Sequence, residues 1–378
     1  MALRAHVGLN LVFLVPGETG GMEVAARELI VALVAQAPEV RFTAFVNREA
    51  AAAGGGPWGD LIPQVVVPVH ARSRVQWVAG EQTLLPALAG RAGLDVLHSL
   101  GSTAPGWSAA RRVVTIHDLI YLRFPAAHAG IRDLGMRVLV PLAARRADLV
   151  IADSESTRAD LIGELGLARE KVEVIPLGLG RVQRIAGLDA QATRARFGLG
   201  DRRVVLSLSA KRPHKNLGAL IGALGRIAPE RRPVLVLPGY STWHESELRE
   251  RAAAAGVSDD VRFVSWLEDS ELEGLWGVSD AFVFPSLYEG FGLPVLEAMA
   301  RGVPVACSDR SSLPEVAGGA ALLFDPDRED AIAGAIDRLL DDPGEARRLR
   351  AAGIARAAEF TWERAARETL AVYARVLA

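Results

Sequence analysis

Short runs of consecutive apolar residues alternate along this chain with longer stretches whose apolar positions recur at helical spacing. The runs fall at 7–15, 40–47, 64–69, 95–100, 111–118, 149–153 and 171–178, and again at 204–210, 234–239, 261–266, 280–285, 303–308 and 321–324. Each is short, rich in Val, Ile and Leu, and bounded by turn-forming residues, which predicts buried strands. The stretches between them predict helices. These are 22–36, with Val24, Leu29, Ile30 and Leu33 available for one face, then 75–91 and 127–147, one capped at Ser154–Thr157, one opening at Pro294, and 361–377. Strand and helix in alternation predict an α/β fold, parallel sheets with helices on both faces. Between the two series, 178–201 mixes Gly, Arg and polar residues without a period and reads as a linker; 50–59 reads as a Gly-rich loop. The two series repeat an architecture, not a sequence.

Composition narrows the function classes. A chain of 378 residues with 50% hydrophobic residues can fill two sizeable cores. The formal charge of −2, with acids and bases balanced in each half, argues against a nucleic-acid binder. A single cysteine, Cys307, precludes an internal disulfide and sits in a strand run as a small core residue. No apolar run has the length of a membrane span and no signal-peptide pattern opens the chain, so the expectation is a soluble, cytoplasmic protein. Arginine fills nearly every basic position; only Lys171, Lys211 and Lys215 are lysines, which hints that the last two meet a need for a compact ammonium.

Candidate chemistry gathers where strands end. After 280–285 the chain reads Ser-Leu-Tyr-Glu-Gly-Phe-Gly-Leu-Pro and enters a helix. Gly290 and Gly292 permit a tight path, and the amides of Phe291, Gly292 and Leu293 at the helix start suit an anion. Glu289 and Glu297, eight positions apart, are poor partners for a phosphate and good ones for the hydroxyls of a sugar or a ribose. Gly20 and Gly21 lie between the first strand and the first helix. Their spacing is not the dinucleotide fingerprint, and they read as a phosphate-approach loop or a plain turn. Lys211, Arg212 and Lys215 cluster ahead of a helix, where the helix dipole disfavours cations, a misfit that points to a bound anion. His117 ends a strand and reads equally as a structural hydrogen-bonder or a functional group; Asp118 beside it orients the ring or caps the turn. His98 is the weaker candidate, structural or acceptor-side. Asp325-Pro-Asp327 reads as a turn and cap, not a metal site. The basic stretch 127–147 reads as a solvated face, with weak peripheral contact to anionic lipid as the alternative.

The segment from Glu289 to Glu297 resembles the Glu-x7-Glu motif of retaining glycosyltransferases of the two-Rossmann-domain GT-B class, family 4. The double-glycine loop, the His117-Asp118-Leu119 segment and Lys215-Asn216-Leu217 occur in the same order as in that family. The resemblance implies two Rossmann-like domains facing across a cleft, 1–180 for the acceptor and 181–358 for the nucleotide sugar, with a helix at 359–378 crossing back to the first. It implies transfer of a hexose, mannose or glucose type, from a nucleoside-diphosphate sugar to the hydroxyl of a glycan, lipid-linked or small-molecule acceptor, with retention and without a metal or other cofactor. In that reading His117 touches the donor sugar and Gly20, Gly21 and Lys215 hold the diphosphate. Glu289 binds sugar hydroxyls, Glu297 binds the ribose, and Trp266 and Leu267 pack on the base. The family's second basic residue would fall at Ser209 or Ala210, so Arg212 or Lys211 has to substitute. A sugar-nucleotide epimerase or glycosyl phosphorylase on the same architecture, and a non-catalytic nucleotide-binding protein, are the competing readings.

Overall fold

The computed structural model describes residues 4–54, 59–124, 131–180 and 189–378, the side chains of 131–134 excepted. The chain divides into two compact units, Met1–Gly180 with Phe360–Ala378, and Arg181–Glu359.

The first unit is built on seven parallel strands: β1 (His6–Leu11), β2 (Arg41–Val46), β3 (Gln64–Val66), β4 (Val96–Ser99), β5 (Arg111–Ile116), β6 (Leu149–Ala152) and β7 (Val172–Val174). Their order is β3-β2-β1-β4-β5-β6-β7. All the expected strands are present, but several stop short of the apolar run. Val12–Val15 and Asp153 leave the sheet and become loops at the carboxyl ends of their strands. The order reverses between β1 and β4, and a parallel sheet opens a crevice for ligands at the carboxyl ends of such a pair.

The stretch 50–59 is not all loop. Asn47 Oδ1 accepts from the Ala50 amide at 2.7 Å and starts the short helix Arg48–Ala52; 55–58 lie outside the described residues. The expected helix at 75–91 runs as Arg74–Ala79, a π turn at Gly80–Leu84, and Leu85–Ala92. The expected basic helix is present as Ile131–Arg146, and 127–130 lie outside the described residues. Two of its arginines reach the protein's own carbonyls, Arg137 that of Tyr121 at 3.4 Å and Arg145 that of Leu165 at 3.5 Å.

The last helix, Trp362–Leu377, belongs to this first unit. Its buried positions Trp362, Ala365, Ala366, Thr369, Val372, Tyr373 and Val376 recur at helical spacing and join the core around helix Gly21–Gln36. Its Tyr373 hydroxyl meets Nδ1 of fully buried His98 at 2.7 Å, and His98 Nε2 meets Thr115 Oγ1 at 2.8 Å. Burial, helped by the charge on His117, pushes the His98 imidazole down to about 3, so this histidine is a neutral strut between β4, β5 and the last helix. Tyr373→Phe keeps the ring and leaves His98 Nδ1 unpartnered. It is expected to cost about 1–3 kcal/mol in urea unfolding, and a loss below about 0.5 kcal/mol would mean that the strut carries no load.

The second unit has six parallel strands: β8 (Val204–Leu206), β9 (Val234–Pro238), β10 (Val261–Val264), β11 (Ala281–Phe284), β12 (Val305–Ser308) and β13 (Leu322–Phe324). Their order is β10-β9-β8-β11-β12-β13, with the reversal between β8 and β11. The stretch 178–201 is not a bare linker: Asp189 Oδ1 accepts from the amides of Gln191 and Ala192 and starts the helix Ala190–Phe197, and 181–188 lie outside the described residues. Cys307 is buried in β12, its thiol pushed up to about 12 by burial and then by Asp309. Among the described residues no helix is long and apolar enough to cross a membrane.

Candidate active site

In the second unit the chemistry collects at the β8/β11 crevice. The loop after β8 ends in the single turn Pro213–Lys215, and the loop after β11 carries Glu289. Lys215 Nζ lies 2.6 Å from Glu289 Oε1, both side chains mostly buried at 17% and 13% exposure, with the Phe284 ring 5.5 Å from the ammonium. The two loops are laced together: the His214 carbonyl accepts from the Leu287 amide at 2.8 Å and from Ser286 Oγ at 3.2 Å. A third strand end supports them. Ser311 Oγ donates to the Glu289 carbonyl at 2.6 Å, and Ser312 Oγ lies 2.5 Å from the Phe291 carbonyl.

Gly292 then turns the chain into helix Leu293–Ala300 with φ +118°, and a side chain there would meet Leu313 as well as backbone strain. Pro294 stands in the first turn as expected. Among the described residues the amides of Gly292 and Leu293 donate to no protein group, so the helix start is open to an anion. One turn on, Glu297 is half-buried and its carboxylate accepts no hydrogen bond among the described residues. Burial holds that carboxyl above the usual range; Arg301 offsets this only in part, its guanidinium being bonded to Glu273 at 3.0 and 3.1 Å.

The two further cations part company. Lys211 is fully buried and donates to the Gly239 carbonyl at 2.7 Å and the Val264 carbonyl at 2.9 Å, at the carboxyl ends of β9 and β10. Burial lowers its pKa, with Glu245 pulling the other way. This lysine is a compact internal tie and cannot serve a ligand. Arg212 is half-buried, and among the described residues its guanidinium has no protein partner. Trp266 is 61% exposed and stacks on Tyr240 at 4.8 Å and 25°, with half-buried Leu267 beside it. Asp325 and Asp327 form the expected turn, Asp325 Oδ1 accepting from the Asp327 amide at 3.1 Å, and both pair with Arg310.

In the first unit the candidates again stand at carboxyl ends of strands. Gly20, at φ +66°, starts helix Gly21–Gln36, and a Cβ at Gly20 or Gly21 would meet nothing within 4 Å. Among the described residues their amides donate to no protein group. Glu23 reaches back to accept from the Gly17 amide at 2.8 Å, while Arg27 neutralises it at 2.5 Å. The loop is therefore held from beneath and open above. His117 follows β5. Its Nδ1 meets Asp153 Oδ2 at 2.7 Å and its Nε2 meets the Leu100 carbonyl at 2.9 Å. Two acceptors on two ring nitrogens are satisfied together only by the imidazolium. Burial, the largest single influence, works to lower its pKa. The charge and hydrogen bond of Asp153, the Leu100 carbonyl and Asp118 outweigh burial and hold the ring at about 9. Asp118 caps the turn, accepting from the Ile120 amide at 3.0 Å, while Asp153 orients the ring.

Asp153, Ser311, Ser312 and Tyr240 do not stand out in the sequence. The sheet places Asp153: Ile116 and Ala152 are paired across β5 and β6, so the residues that follow each strand emerge side by side.

Comparison with known proteins places the chain in a family. Residues 189–356 match the model described as Glycosyl transferases group 1, and residues 19–179 match Glycosyltransferase Family 4. The chain is 30% identical over 267 residues to O-antigen chain mannosyltransferase B of Escherichia coli, covering 70% of each protein. It is 30% identical over 399 residues to a D-inositol 3-phosphate glycosyltransferase of Streptomyces bingchenggensis, covering 96% of this chain and 86% of that one. Across its relatives the share of the other protein that is matched ranges down to about a third. In fold it is similar to HepE of Anabaena solved with UDP-glucose, with a TM-score of 0.76 at 21% identity, covering 97% of this chain and 100% of that one. With its two halves matching the two models in turn and nearly its whole length aligned with a glycosyltransferase, the chain belongs to the group 1, family 4 glycosyltransferases of GT-B fold.

Proposed function

We propose that this chain transfers a hexose, of mannose or glucose type, from a nucleoside-diphosphate sugar to an acceptor hydroxyl, with retention at the anomeric carbon. The observation that carries the reading is the set of groups at the β8/β11 crevice. Lys215 and Glu289 face each other at 2.6 Å beside open amides at Gly292 and Leu293, and Glu297 lies one turn on without a partner. A diphosphate and a sugar ask for those groups. Lys215, the unpartnered Arg212 and the helix start take up the charge that develops as the bond from the anomeric carbon to the diphosphate breaks. Glu289 accepts from sugar hydroxyls and Glu297 from the ribose. The new bond forms from the acceptor oxygen to the anomeric carbon, and the acceptor's proton passes to an oxygen of the departing phosphate. The chain's own cations supply the stabilisation, so no metal is invoked. The names of the relatives, one a mannosyltransferase, and the UDP-glucose complex of HepE support a hexosyl donor.

Titration calorimetry with GDP and with UDP, followed by incubation of the matching mannose or glucose donor with hydroxyl acceptors, tests this. One nucleotide is expected to bind at least tenfold tighter than the other, and sugar is expected to leave the donor only when an acceptor is present. No heat with either nucleotide defeats the proposal.

A further inference from the structure

The β1/β4 crevice of the first unit is filled by the protein's own hydrogen-bonded side chains. Glu81, fully buried, sits in it on the π turn Gly80–Leu84. Its Oε1 accepts from Asn10 Nδ2 at 3.0 Å and from Thr103 Oγ1 at 2.9 Å. Asn10, next to last in β1, also donates to Ser99 Oγ, at the end of β4, at 3.0 Å. The neighbouring Gln82 grips the same loop that Thr103 belongs to, donating to the Ala104 carbonyl at 3.0 Å and accepting from the Gly106 amide at 2.9 Å. A π turn admits an extra residue per turn, and such turns recur at functional sites; here it lets two adjacent side chains serve one loop.

Two paths lead outward from Glu81. One runs through Asn10, whose Oδ1 accepts from the Val12 amide at 3.1 Å, into the segment that becomes the Gly20-Gly21 loop. The other runs through Thr103 to Ser102 and Leu100. Ser102 adopts φ +64°, a conformation that costs a non-glycine residue energy, and its Oγ accepts from the His117 amide at 3.3 Å. The Leu100 carbonyl receives His117 Nε2. The paths also touch directly: a Cβ on Gly101 would lie 2.4 Å from the Phe13 ring, so the two loops are in close contact there. No cation bonds to Glu81 among the described residues, and a carboxylate buried on such terms is costly. Burial, against the pull of its hydrogen bonds, pushes its carboxyl up to about 7. A neutral residue of this size would fill the space at less cost.

We propose that Glu81 is a positioning residue, planted in the β1/β4 crevice to fix the glycine loop and the His117 ring in one arrangement. The inference rests on the reading that the glycine loop holds the donor's diphosphate and that His117 touches its sugar. It does not touch the substrate itself, being fully enclosed.

The test is made on the full chain, labelled with 15N in histidine, with the His117 imidazole assigned from a His117→Gln variant. In the wild type both ring nitrogens are expected to be protonated at neutral pH. In Glu81→Ala and in the gentler Thr103→Val, the His117 titration midpoint is expected to fall by about one unit as the Leu100 carbonyl drifts away. Glu81→Gln, which keeps an acceptor for Asn10 and Thr103, is expected to restore most of it. A purely space-filling role would lower the melting temperature and leave the His117 midpoint in place. If His117 titrates as in the wild type in a folded Thr103→Val protein, with Glu81→Ala likewise unchanged or unfolded, the proposal falls. Absence of nucleotide binding in the wild type defeats the transferase reading instead, and the histidine spectra still report on Glu81.

Discussion

Replacing Lys215 with alanine is expected to slow glycosyl transfer by about 10²–10³-fold, the usual cost of removing one charge-stabilising donor from a reacting group. The loss falls on kcat more than on KM if the ammonium acts as charge builds on the departing diphosphate, since only interactions that strengthen in the transition state change that constant. The geometry adds a check that separates chemistry from folding. Lys215 and Glu289 are each other's partner at 2.6 Å, and both are mostly buried. Removing either leaves the other charge enclosed and uncompensated, so Lys215→Ala and Glu289→Ala are each expected to lose stability as well as rate. The double variant removes both charges, and its melting temperature is expected to recover toward the wild type while its transfer rate stays low. A double variant that recovers rate along with stability would show the pair to be structural. Steady-state kinetics beside thermal unfolding of the four proteins reads both quantities.

The sequence carried the architecture because buried parallel strands write themselves as uninterrupted apolar runs, and each of the thirteen runs became a strand of β1–β13. Their ends were less legible. Val12 to Val15 continue the hydrophobic pattern of β1 yet leave the sheet, because Asn10 Oδ1 takes the Val12 amide out of the ladder. The helix Ala190–Phe197 was hidden for the opposite reason: its buried side is nearly absent, so composition alone read as linker. At the site, Lys215, Glu289 and Gly292 announced themselves through local chemistry, a cation before a helix and a glycine turn before a proline. Lys211 misled in part, since its rarity signalled a need for a lysine but not that the need was internal, at two strand-end carbonyls. Asp153, Ser312 and Glu81 could not be seen because each acts on residues tens of positions away, and only the sheet order brings them there. Local pattern reveals what a residue offers; the topology decides to whom.

The second large effect concerns Asp153. His117 has its folded pKa raised to about 9, above the ordinary histidine value near 6.5. A raised histidine stabilises the fold fully below the unfolded value and loses that contribution as pH rises through the folded one. The window is therefore pH 6.5 to about 9, and the full contribution is on the order of 3 kcal/mol. Asp153→Asn takes away the charge that does most to raise the ring. Its unfolding free energy is expected to fall below the wild type by about that amount at pH 6, and the gap is expected to close by pH 9.5–10, about one unit above the folded value. Urea unfolding of both proteins across that range measures it, and a gap that stays constant with pH would mean that His117 is not the group responsible. The same substitution reaches function. With Nδ1 on Asp153 and Nε2 on the Leu100 carbonyl, His117 offers a fixed positive charge and no nitrogen free to accept a proton. If that charge serves transfer, the wild-type rate is expected to decline only as pH passes about 9, whereas the rate of the Asp153→Asn protein declines from near the ordinary histidine value. A rate profile that keeps its alkaline limb in the variant would detach the ring's charge from the reaction.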